Sequence, residues 1–408
     1  MSPAVLSTRA LGAARGTAAL VAVVVALLAG ALTAWPRLQA DAFAEQTRYR
    51  VAETTSTTRD VRAQRVLGQG DGFGSWPELT AALERLRDDQ PAPLRDVLAP
   101  AELVATTREL ALPVNEAVDV RSPQAVLAGA PDLADRVTLV RGEWPGALVW
   151  DPPAAAPPGS GPTPSEQLPD AVVDVVVADE SAALLGWDLG EVLATPSFYV
   201  DLQLRLVGTY EIDDPDSTYW DFVPGAAGPG VVADLNAGTS VTAYAFTDPA
   251  GWWSVLEATR EPVTTNVRYE VTPDAIQDAD PGLLATQLRA FLSQNQPLRT
   301  DDGVTLAQLQ FGSELPGVLE EIAAENAAST RVVALVAVGP LAVGLTVLVL
   351  LARAMLARRR AALALLSLRG ASGARLRAML AVEGVALGVP AAALGAPVAV
   401  LLTPGGTG

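Results

Sequence analysis

The chain of 408 residues contains no cysteine, no histidine and no lysine. Without cysteine it has no disulfide framework, no thiolate metal site and no cysteine nucleophile. Without histidine it lacks the commonest general base and the commonest zinc ligand. A P-loop needs a lysine that reaches the β- and γ-phosphates, so the chain does not bind and hydrolyse ATP in the P-loop way.

Acidic residues concentrate in the middle of the chain. Residues 36–330 contain 18 arginines and 45 acids, a net charge of −27, whereas the remaining residues contain 10 arginines and a single acid, Glu383. The overall charge of −18 therefore hides a basic portion at the two ends and an acidic portion between them. Such a split indicates that the two portions lie on different sides of a membrane.

Three apolar runs occupy residues 16–36, 332–352 and 378–402. The first two carry no charge, and the third carries Glu383. An α-helix rises 1.5 Å per residue, so about 20 residues cross a hydrocarbon core of ~30 Å. We therefore predict three transmembrane helices, the second of them kinked at Pro340.

The first apolar run also has the basic start of a secretory signal peptide. Cleavage of such a peptide needs a small-x-small site beyond the apolar run, and Ala29 and Ala31 lie inside it. We favour an uncleaved membrane anchor and keep the cleaved signal peptide as the alternative.

The arginines predict the orientation of the chain, because arginine and lysine accumulate in short cytoplasmic loops. Residues 353–377, between the second and third apolar runs, hold seven arginines: Arg353, Arg358, Arg359, Arg360, Arg369, Arg375 and Arg377. We predict that this segment and residues 1–15 are cytoplasmic. Residues 37–312 and the tail 403–408 are then extracytoplasmic, and the chain is a multi-pass protein of the plasma membrane.

The fold class predicted from these patterns is a membrane protein, with α-helical transmembrane segments and a large α+β extracytoplasmic domain inserted between the first two helices. Residues 151–170 are rich in Pro, Gly, Ser and Ala, and we expect an extended loop there. Residues 313–331 predict a stalk helix with Ser313 as its cap and Pro316 in its first turn.

Alternation and β-branched residues predict strands in this domain. We place them at Val137–Val140, Val172–Ala178, Val200–Leu206, Gly230–Asp234, Val241–Thr247 and Asn266–Val271. Helices are expected at Glu180–Leu185, capped by Asp179 and ended by Gly186, and at Pro249–Thr259 and Pro273–Ser293.

The segment from Arg358 to Gly395 reads RRRAALALLSLRGASGARLRAMLAVEGVALGVPAAALG. It resembles the core of the FtsX/MacB-like ABC permeases, in which a short cytoplasmic coupling helix and a Gly-Ala-Ser turn join two membrane helices. The turn corresponds here to Gly370, Ala371 and Ser372. Three blocks of the acidic portion are similar to that family's MacB-type periplasmic domain: VTLVRGEWPG, VVVADESAALLGWDLGEVL and LQLRLVGTYE.

The resemblance implies a transporter permease that is not itself an enzyme and that holds no cofactor or metal. Its partners would be a separate cytoplasmic ABC ATPase, a second permease half or a homodimer copy, and membrane lipids, with no role for nucleic acid. The residues expected to couple to the ATPase are Leu363, Leu366, Arg369, Gly370, Ala371, Ser372 and Arg375. Glu383 is expected as an intramembrane acid with a functional role, or with a structural one as a partner of Arg375 or Arg377.

The sequence departs from the family pattern at two coupling positions. Ala362 stands where the family often has Glu, and Ser367 stands where it often has Arg. The family also has a fourth membrane helix, and large members repeat the whole unit. We therefore expect the chain to be a fragment, or the N-terminal half of a duplicated permease.

Two further function classes stay open at this point. The basic turn would also suit a plain helical hairpin whose arginines bind anionic lipid headgroups, which fits a membrane-anchored sensor or a structural ectodomain without an ATPase. An extracellular hydrolase would have to rely on carboxylates, and no paired-carboxylate motif is present. We expect Asp213, Asp214 and Asp216 to form a solvated loop rather than a Ca²⁺ site. Trp252 and Trp253 are expected in the core rather than on a binding platform.

Overall fold

The computed structural model describes residues 3–67, 75–148, 171–195, 202–234, 238–254, 262–368 and 373–402. The chain divides into two compact units. A helical unit comprises Met1–Arg50 and Glu321–Gly408, and a sheet domain comprises Val51–Glu320.

In the described residues, three helices are long and apolar enough to cross a membrane. They are α1 (Pro3–Ala52), α10 (Leu315–Leu368) and α11 (Gly373–Leu402). Large apolar side chains such as Leu27, Leu335 and Leu394 are exposed on them, as lipid-facing positions are. Three apolar helices together with a sheet domain are compatible with the predicted fold class.

Helix α1 is longer than the apolar run that it contains, and it passes through Pro36 to end at Ala52. Beyond Pro36 the segment contains no further proline and consists largely of good helix formers. Its last turns pair with α10 inside the helical unit: Gln46 donates to the Glu325 carboxylate at 3.3 Å, and Arg50 lies 3.7 Å from the same carboxylate. The sequence predicted one helix outside the apolar runs, the stalk over residues 313–331. In the structure the last turns of α1 form a second helix beside it within the helical unit.

The sheet domain is built on a mixed sheet of 12 strands among the described residues. The strands are β1 (Val61–Leu67), β2 (Ala101–Ala111), β3 (Ser122–Gly129), β4 (Val137–Gly142), β5 (Ala171–Ala178), β6 (Val192–Thr195), β7 (Leu202–Ile212), β8 (Gly230–Asp234), β9 (Gly238–Phe246), β10 (Val263–Tyr269), β11 (Asn295–Arg299) and β12 (Thr305–Gly312). Neighbouring strands follow the order β11-β12-β1-β10-β2-β3-β9-β5-β7-β4, and in addition β6 pairs with β7 and β8 pairs with β9. The pairs β3–β9 and β5–β7 are parallel, and the other pairs are antiparallel.

Short helices connect the strands of the sheet domain. They are α2 (Ser56–Arg59), α3 (Trp76–Asp88), α4 (Leu94–Val97), α5 (Asp179–Leu185), α6 (Tyr219–Phe222), α7 (Pro224–Ala227), α8 (Pro273–Ile276) and α9 (Pro281–Leu292). Single 3₁₀ turns occur at Leu133–Asp135 and Pro249–Gly251.

Aromatic side chains fill the core. Tyr210 and Phe246 meet edge to face at 6.3 Å on the sheet, and Tyr219 and Trp220 of α6 pack on the same cluster. Burial alternates at the start of β7 and is continuous from Val175 to Ala178 in β5, as the alternating and β-branched sequences of those strands predict.

Each predicted strand has a counterpart among the described residues, although β9 ends at Phe246 rather than Thr247 and β10 ends at Tyr269 rather than Val271. Two local predictions about helices are wrong. Asp179 does not cap α5: it is the first helical residue, and its carboxylate instead accepts from Arg141 and Thr209. Gly186 does end α5, in a left-handed conformation with φ 64°. The helix predicted over 273–293 is broken in two, because Asp280 caps a new helix by accepting from the Leu283 N–H at 2.7 Å.

Candidate functional site

The residues predicted to couple to an ATPase lie around the connection between α10 and α11. Leu363 and Leu366 are in the last turns of α10, and Arg375 and Glu383 are in the first half of α11, with side chains that the structure does not describe. The remaining predicted coupling residues, Arg369, Gly370, Ala371 and Ser372, lie outside the described residues.

The two ends of the sheet domain are bonded to each other where the chain enters and leaves it. We call this region, residues 54–60 and 312–315, the entry–exit junction. The Thr58 carbonyl oxygen accepts from the Glu314 N–H at 3.2 Å and from the Ser313 hydroxyl at 3.4 Å. The Ser313 hydroxyl also accepts from the Leu315 N–H at 3.2 Å. Because α10 begins at Leu315, Ser313 lies one residue before the cap position that the sequence predicted for it. The first turn of α10 is thereby fixed to the segment that follows α1.

A group of buried charges lies directly beside this junction. The buried charge cluster consists of Asp60, Glu102, Arg136 and Arg268. Arg268, on β10, is 1% exposed, and Asp60, which precedes β1, is 0% exposed. Arg268 Nη1 donates to Asp60 Oδ2 at 3.2 Å, and Arg268 Nε donates to Glu102 Oε2 at 2.6 Å. Arg136 binds the other oxygen of Glu102 at 2.6 Å. Glu102 is thus held between two guanidinium groups, and Asp60 is held between Arg268 and Arg62, whose Nη2 donates to Asp60 Oδ2 at 3.3 Å.

The cluster also holds the segment around α6. Arg268 Nη1 donates to the Thr218 carbonyl oxygen at 2.7 Å, and the Arg136 guanidinium lies 4.1 Å from the centre of the Tyr219 ring. On the junction side, the Ser56 hydroxyl donates to the Asp221 carboxylate at 2.6 Å. Strands β1, β2 and β10, the α6 segment and the entry–exit junction are therefore tied to one polar network.

Burial has the largest effect on the pKa values of Asp60 and Glu102. Loss of water raises the pKa of Asp60 and of Glu102, and the adjacent Arg268 charge opposes that increase. Carboxylates held by guanidinium groups in this way are structural ion pairs, because each of the four carboxylate oxygens already accepts a hydrogen bond. Among the residues that the structure describes, no group of three metal-ligating side chains could hold a metal ion. The arrangement thus suits mechanical linkage rather than acid–base chemistry.

Small residues bring α1 close to α11 and to α10 inside the helical unit. A Cβ atom on Gly395 of α11 would overlap the carbonyl oxygen of Ala26 on α1, so only glycine fits at this position. A Cβ atom on Gly30 would lie 3.3 Å from the Gly395 carbonyl oxygen, and one on Gly344 of α10 would lie 2.7 Å from the Leu28 side chain. Helices in lipid associate through such close approaches.

The sequence predicted Trp252 in the core, and it predicted a solvated loop at Asp213, Asp214 and Asp216. Trp252 is completely buried and packs on Trp76 with ring centres 6.5 Å apart, which confirms its place in the core. Asp213 accepts from the Thr138 hydroxyl at 2.6 Å, and Asp214 accepts from the Asp216 N–H in the same exposed loop.

Sequence reasoning missed the buried charge cluster. A signal was present, because Glu102 and Arg268 lie within strand segments whose neighbours are apolar or small: AELVA in β2 and NVRYEV around the end of β10. Charged residues in such segments are almost never fully buried unless they are paired.

Comparisons with known proteins leave the family of the chain open. No protein-family model matches the sequence. No curated protein matches it either. The resemblance to FtsX/MacB-like permeases therefore stays a prediction from the quoted segments.

Proposed function

We propose that the chain is a permease subunit of an ABC transporter of the FtsX/MacB type, served by a separate cytoplasmic ATPase. The observation that carries the proposal is helix α10: it begins at the entry–exit junction and ends at Leu368, beside the predicted coupling turn. Its 54 residues correspond to about 81 Å measured along the helix. A single helix of that length suits the transfer of motion between the coupling turn and the sheet domain.

In the proposed mechanism the ATPase moves the coupling residues, from Leu363 to Arg375, as it binds and hydrolyses ATP. A movement of the coupling residues reaches both α10 and α11, because only the four residues 369–372 separate the two helices along the chain. The entry–exit junction bonds the first turn of α10 to residues 58–59, so a displacement of α10 is passed to β1 and to the buried charge cluster. In this mechanism ATP hydrolysis moves the sheet domain and does not open a wide pore between the membrane helices.

The proposed location is the plasma membrane, with the N-terminus and the coupling turn in the cytosol and the sheet domain outside. The charge distribution supports this orientation, because the residues outside 36–330 carry 10 arginines and a single acid, whereas residues 36–330 carry 45 acids and 18 arginines. A second permease half or a second copy completes the assembly, in contact with membrane lipids. The work done outside would be export or extraction of a lipid, lipoprotein, peptide or drug, or mechanical control of another protein.

The test is co-purification with the ATPase encoded beside this chain. Leu366→Asp replaces an apolar residue of the coupling segment by a charged one, and we expect it to abolish both binding and the stimulation of ATP hydrolysis. The matched control is Leu335→Asp, also on α10 and exposed, which lies in the apolar run rather than in the coupling segment. A comparison of membrane insertion for the two variants separates misinsertion from loss of coupling.

Unchanged ATPase binding and turnover in a correctly inserted Leu366→Asp variant would contradict the proposal. If no ATPase co-purifies with the wild-type chain, the result favours the second function class, a membrane-anchored sensor or structural ectodomain.

A further inference from the structure

Strand β8 forms an open edge of the sheet domain. It pairs with β9 in continuous register over its whole length, Gly230–Asp234, and no other described strand pairs with it. In an antiparallel pair, alternate residues direct their N–H and C=O groups away from the neighbouring strand. Outside the β8–β9 pair, the described residues give no backbone hydrogen bond to Val231, Val232 or Ala233. The free side of β8 therefore presents unpaired backbone donors and acceptors.

Both faces of β8 are exposed as well as its free side. All five of its residues are exposed, and Val231 and Val232 are 52% and 66% exposed. Consecutive side chains of a strand point to opposite faces, so these two valines lie on the two faces of the strand. Val241 of β9, which pairs with Val231, is completely buried. The packed core thus ends at β9, and β8 carries a continuous exposed surface along its own backbone.

The strands at the two ends of the sheet order, β11 and β4, are protected against further pairing, whereas β8 is not. Strand β11 contains Pro297, which has no N–H to donate, and the Arg85 guanidinium donates to a carbonyl oxygen of that strand at 2.6 Å. The register of β4 with β7 shifts between Leu139 and Arg141. Strand β8 has no proline, no shift of register and no charge before Asp234. An unprotected apolar edge of this kind is a template for another strand.

The charge near β8 favours a basic partner. Glu180 is exposed, and its carboxylate lies 3.5 Å from the point where a Cβ atom on Gly228 would stand, two residues before β8. No ion pair among the described residues involves Glu180. The cation Arg121 packs on Gly238 of β9, one strand further from the free edge. Residues 36–330 as a whole carry 45 acids and 18 arginines, and such a field attracts basic segments.

We propose that β8 binds an extended segment of a partner protein as an added β-strand, and that this segment is apolar in its middle and carries arginine or lysine at its ends. Its backbone bonds to the free N–H and C=O groups of β8, in the mode by which sheet edges take up peptides. Its apolar side chains cover Val231 on one face and Val232 on the other, and one basic end lies beside Glu180. The five residues of β8 span about 17 Å, so the contact takes a segment of similar length.

A second copy of the chain is a poorer match for this edge, because it brings the same acidic charge to the contact. The edge also contains no residue of the coupling segment. The proposal therefore does not depend on the ATPase partner, and a failure of either leaves the other standing.

The test measures binding of a fluorescent peptide of alternating valine and threonine, flanked by arginines, to the full chain in phosphatidylcholine nanodiscs, with the signal of empty nanodiscs subtracted. Two N-methylated forms of the peptide separate strand pairing from contact by side chains. The first is methylated at alternate residues and keeps one free edge, whereas the second is methylated at every residue and has none. We expect the first to bind like the unmodified peptide and the second at least about tenfold more weakly, since it loses its backbone hydrogen bonds.

Variants of the chain locate the site. Val232→Ser changes β8, and Val304→Ser is the matched control, because Val304 is 61% exposed and lies between β11 and β12. We expect Val232→Ser to bind the unmodified peptide about threefold more weakly, since it loses an apolar cross-strand contact, and Val304→Ser to bind like the wild type. Glu180→Gln should weaken binding and reduce its dependence on salt.

Four outcomes would overturn the proposal. Equal binding of the fully methylated and the unmodified peptide would exclude backbone pairing as the mode of binding. Equal binding by Val232→Ser and the wild type would remove β8 as the site. Equal binding of a peptide with glutamates in place of its arginines would remove charge as a basis of recognition. Self-association of the wild type that Val232→Ser abolishes would assign the edge to a second copy of the chain.

Discussion

Arg268 Nη1 and Asp60 Oδ2 lie 3.2 Å apart beside the entry–exit junction of the sheet domain, and both side chains are almost fully removed from water. Asp60 follows the segment by which the chain enters the domain, whereas Arg268 lies on β10, which pairs with both β1 and β2. One ion pair therefore joins the entry segment to the middle of the sheet. Any force that reaches the entry–exit junction acts on this pair.

Replacing Arg268 tests how strongly that link holds the domain. Arg268→Met leaves Asp60 and Glu102 buried without their central partner, so we expect a loss of about 3–5 kcal/mol in the free energy of unfolding of the sheet domain. Arg205→Met is the matched control, because it removes the exposed Arg205–Asp174 pair and should cost about 1 kcal/mol or less. Denaturant unfolding followed by tryptophan fluorescence measures both. Equal losses of unfolding free energy in Arg268→Met and Arg205→Met would mean that the buried ion pairs of Arg268 stabilise the domain no more than the exposed pair of Arg205 does.

Helix packing in the helical unit depends on Gly395. Gly395→Leu places a side chain against the Ala26 backbone, where a Cβ atom alone already meets the carbonyl oxygen. We expect the variant to separate α1 from α11 and to lower the thermal stability of the detergent-solubilised helical unit, at a cost of about 1–3 kcal/mol. Gly388→Leu is the control on the same helix, since a Cβ atom there has no neighbour within 4 Å. A Gly395→Leu variant as stable as the control would contradict this packing.

The pH dependence of stability tests the Asp179 contacts. Hydrogen bonds from Thr209 and Arg141 hold the pKa of Asp179 below its usual 3.8. A lowered pKa means that the folded state binds its proton less readily than the unfolded state, so the contribution of Asp179 is present above pH 3.8 and disappears as the pH falls through the folded-state pKa. Asp179→Asn should remove this part of the acid sensitivity, and the effect is less than about 1 kcal/mol because the Arg141 pair is partly exposed.

Chemical denaturation of the wild type and the Asp179→Asn variant between neutral pH and pH 3 provides the measurement. Asp278→Asn is the control, because Asp278 is exposed and has no hydrogen bond or ion pair among the described residues. Asp60 and Glu102 act in the opposite direction, since their pKa values are raised and their protonation favours the folded state as the pH falls. Their contribution is the same in both proteins, so the difference between the two curves isolates Asp179. Parallel curves would show that the carboxylate is not stabilised in the fold.

The absence of cysteine makes the orientation directly measurable. A single Ala371→Cys variant carries its only thiol in the predicted cytoplasmic turn, and a single Asp302→Cys variant carries it on the sheet domain. With a membrane-impermeant maleimide on intact cells, we expect labelling of the Asp302→Cys variant alone. Permeabilised cells should label both variants, which controls for reactivity. Labelling of the Ala371→Cys variant in intact cells would reverse the proposed orientation.

Local sequence patterns predicted several elements of the fold. The β-branched run of β5, the alternation in β7 and the glycine that ends α5 each follow from a few neighbouring residues. The break between α8 and α9 was missed, although Asp280 and Pro281 form an evident cap and first turn, because apolar spacing on both sides suggested one continuous helix. The extension of α1 to Ala52 was missed because hydropathy marks only the apolar part of a helix.

The amino-acid sequence by itself determined the three apolar spans and the separation of basic from acidic portions, because hydropathy and charge are properties of contiguous segments. Tertiary structure alone decided which charges meet. Asp60, Glu102 and Arg268 come from distant positions, and the pairing of β1, β10 and β2 brings them together. A charge inside a strand must have a partner once water is removed, but the partner is chosen by the order and register of the strands.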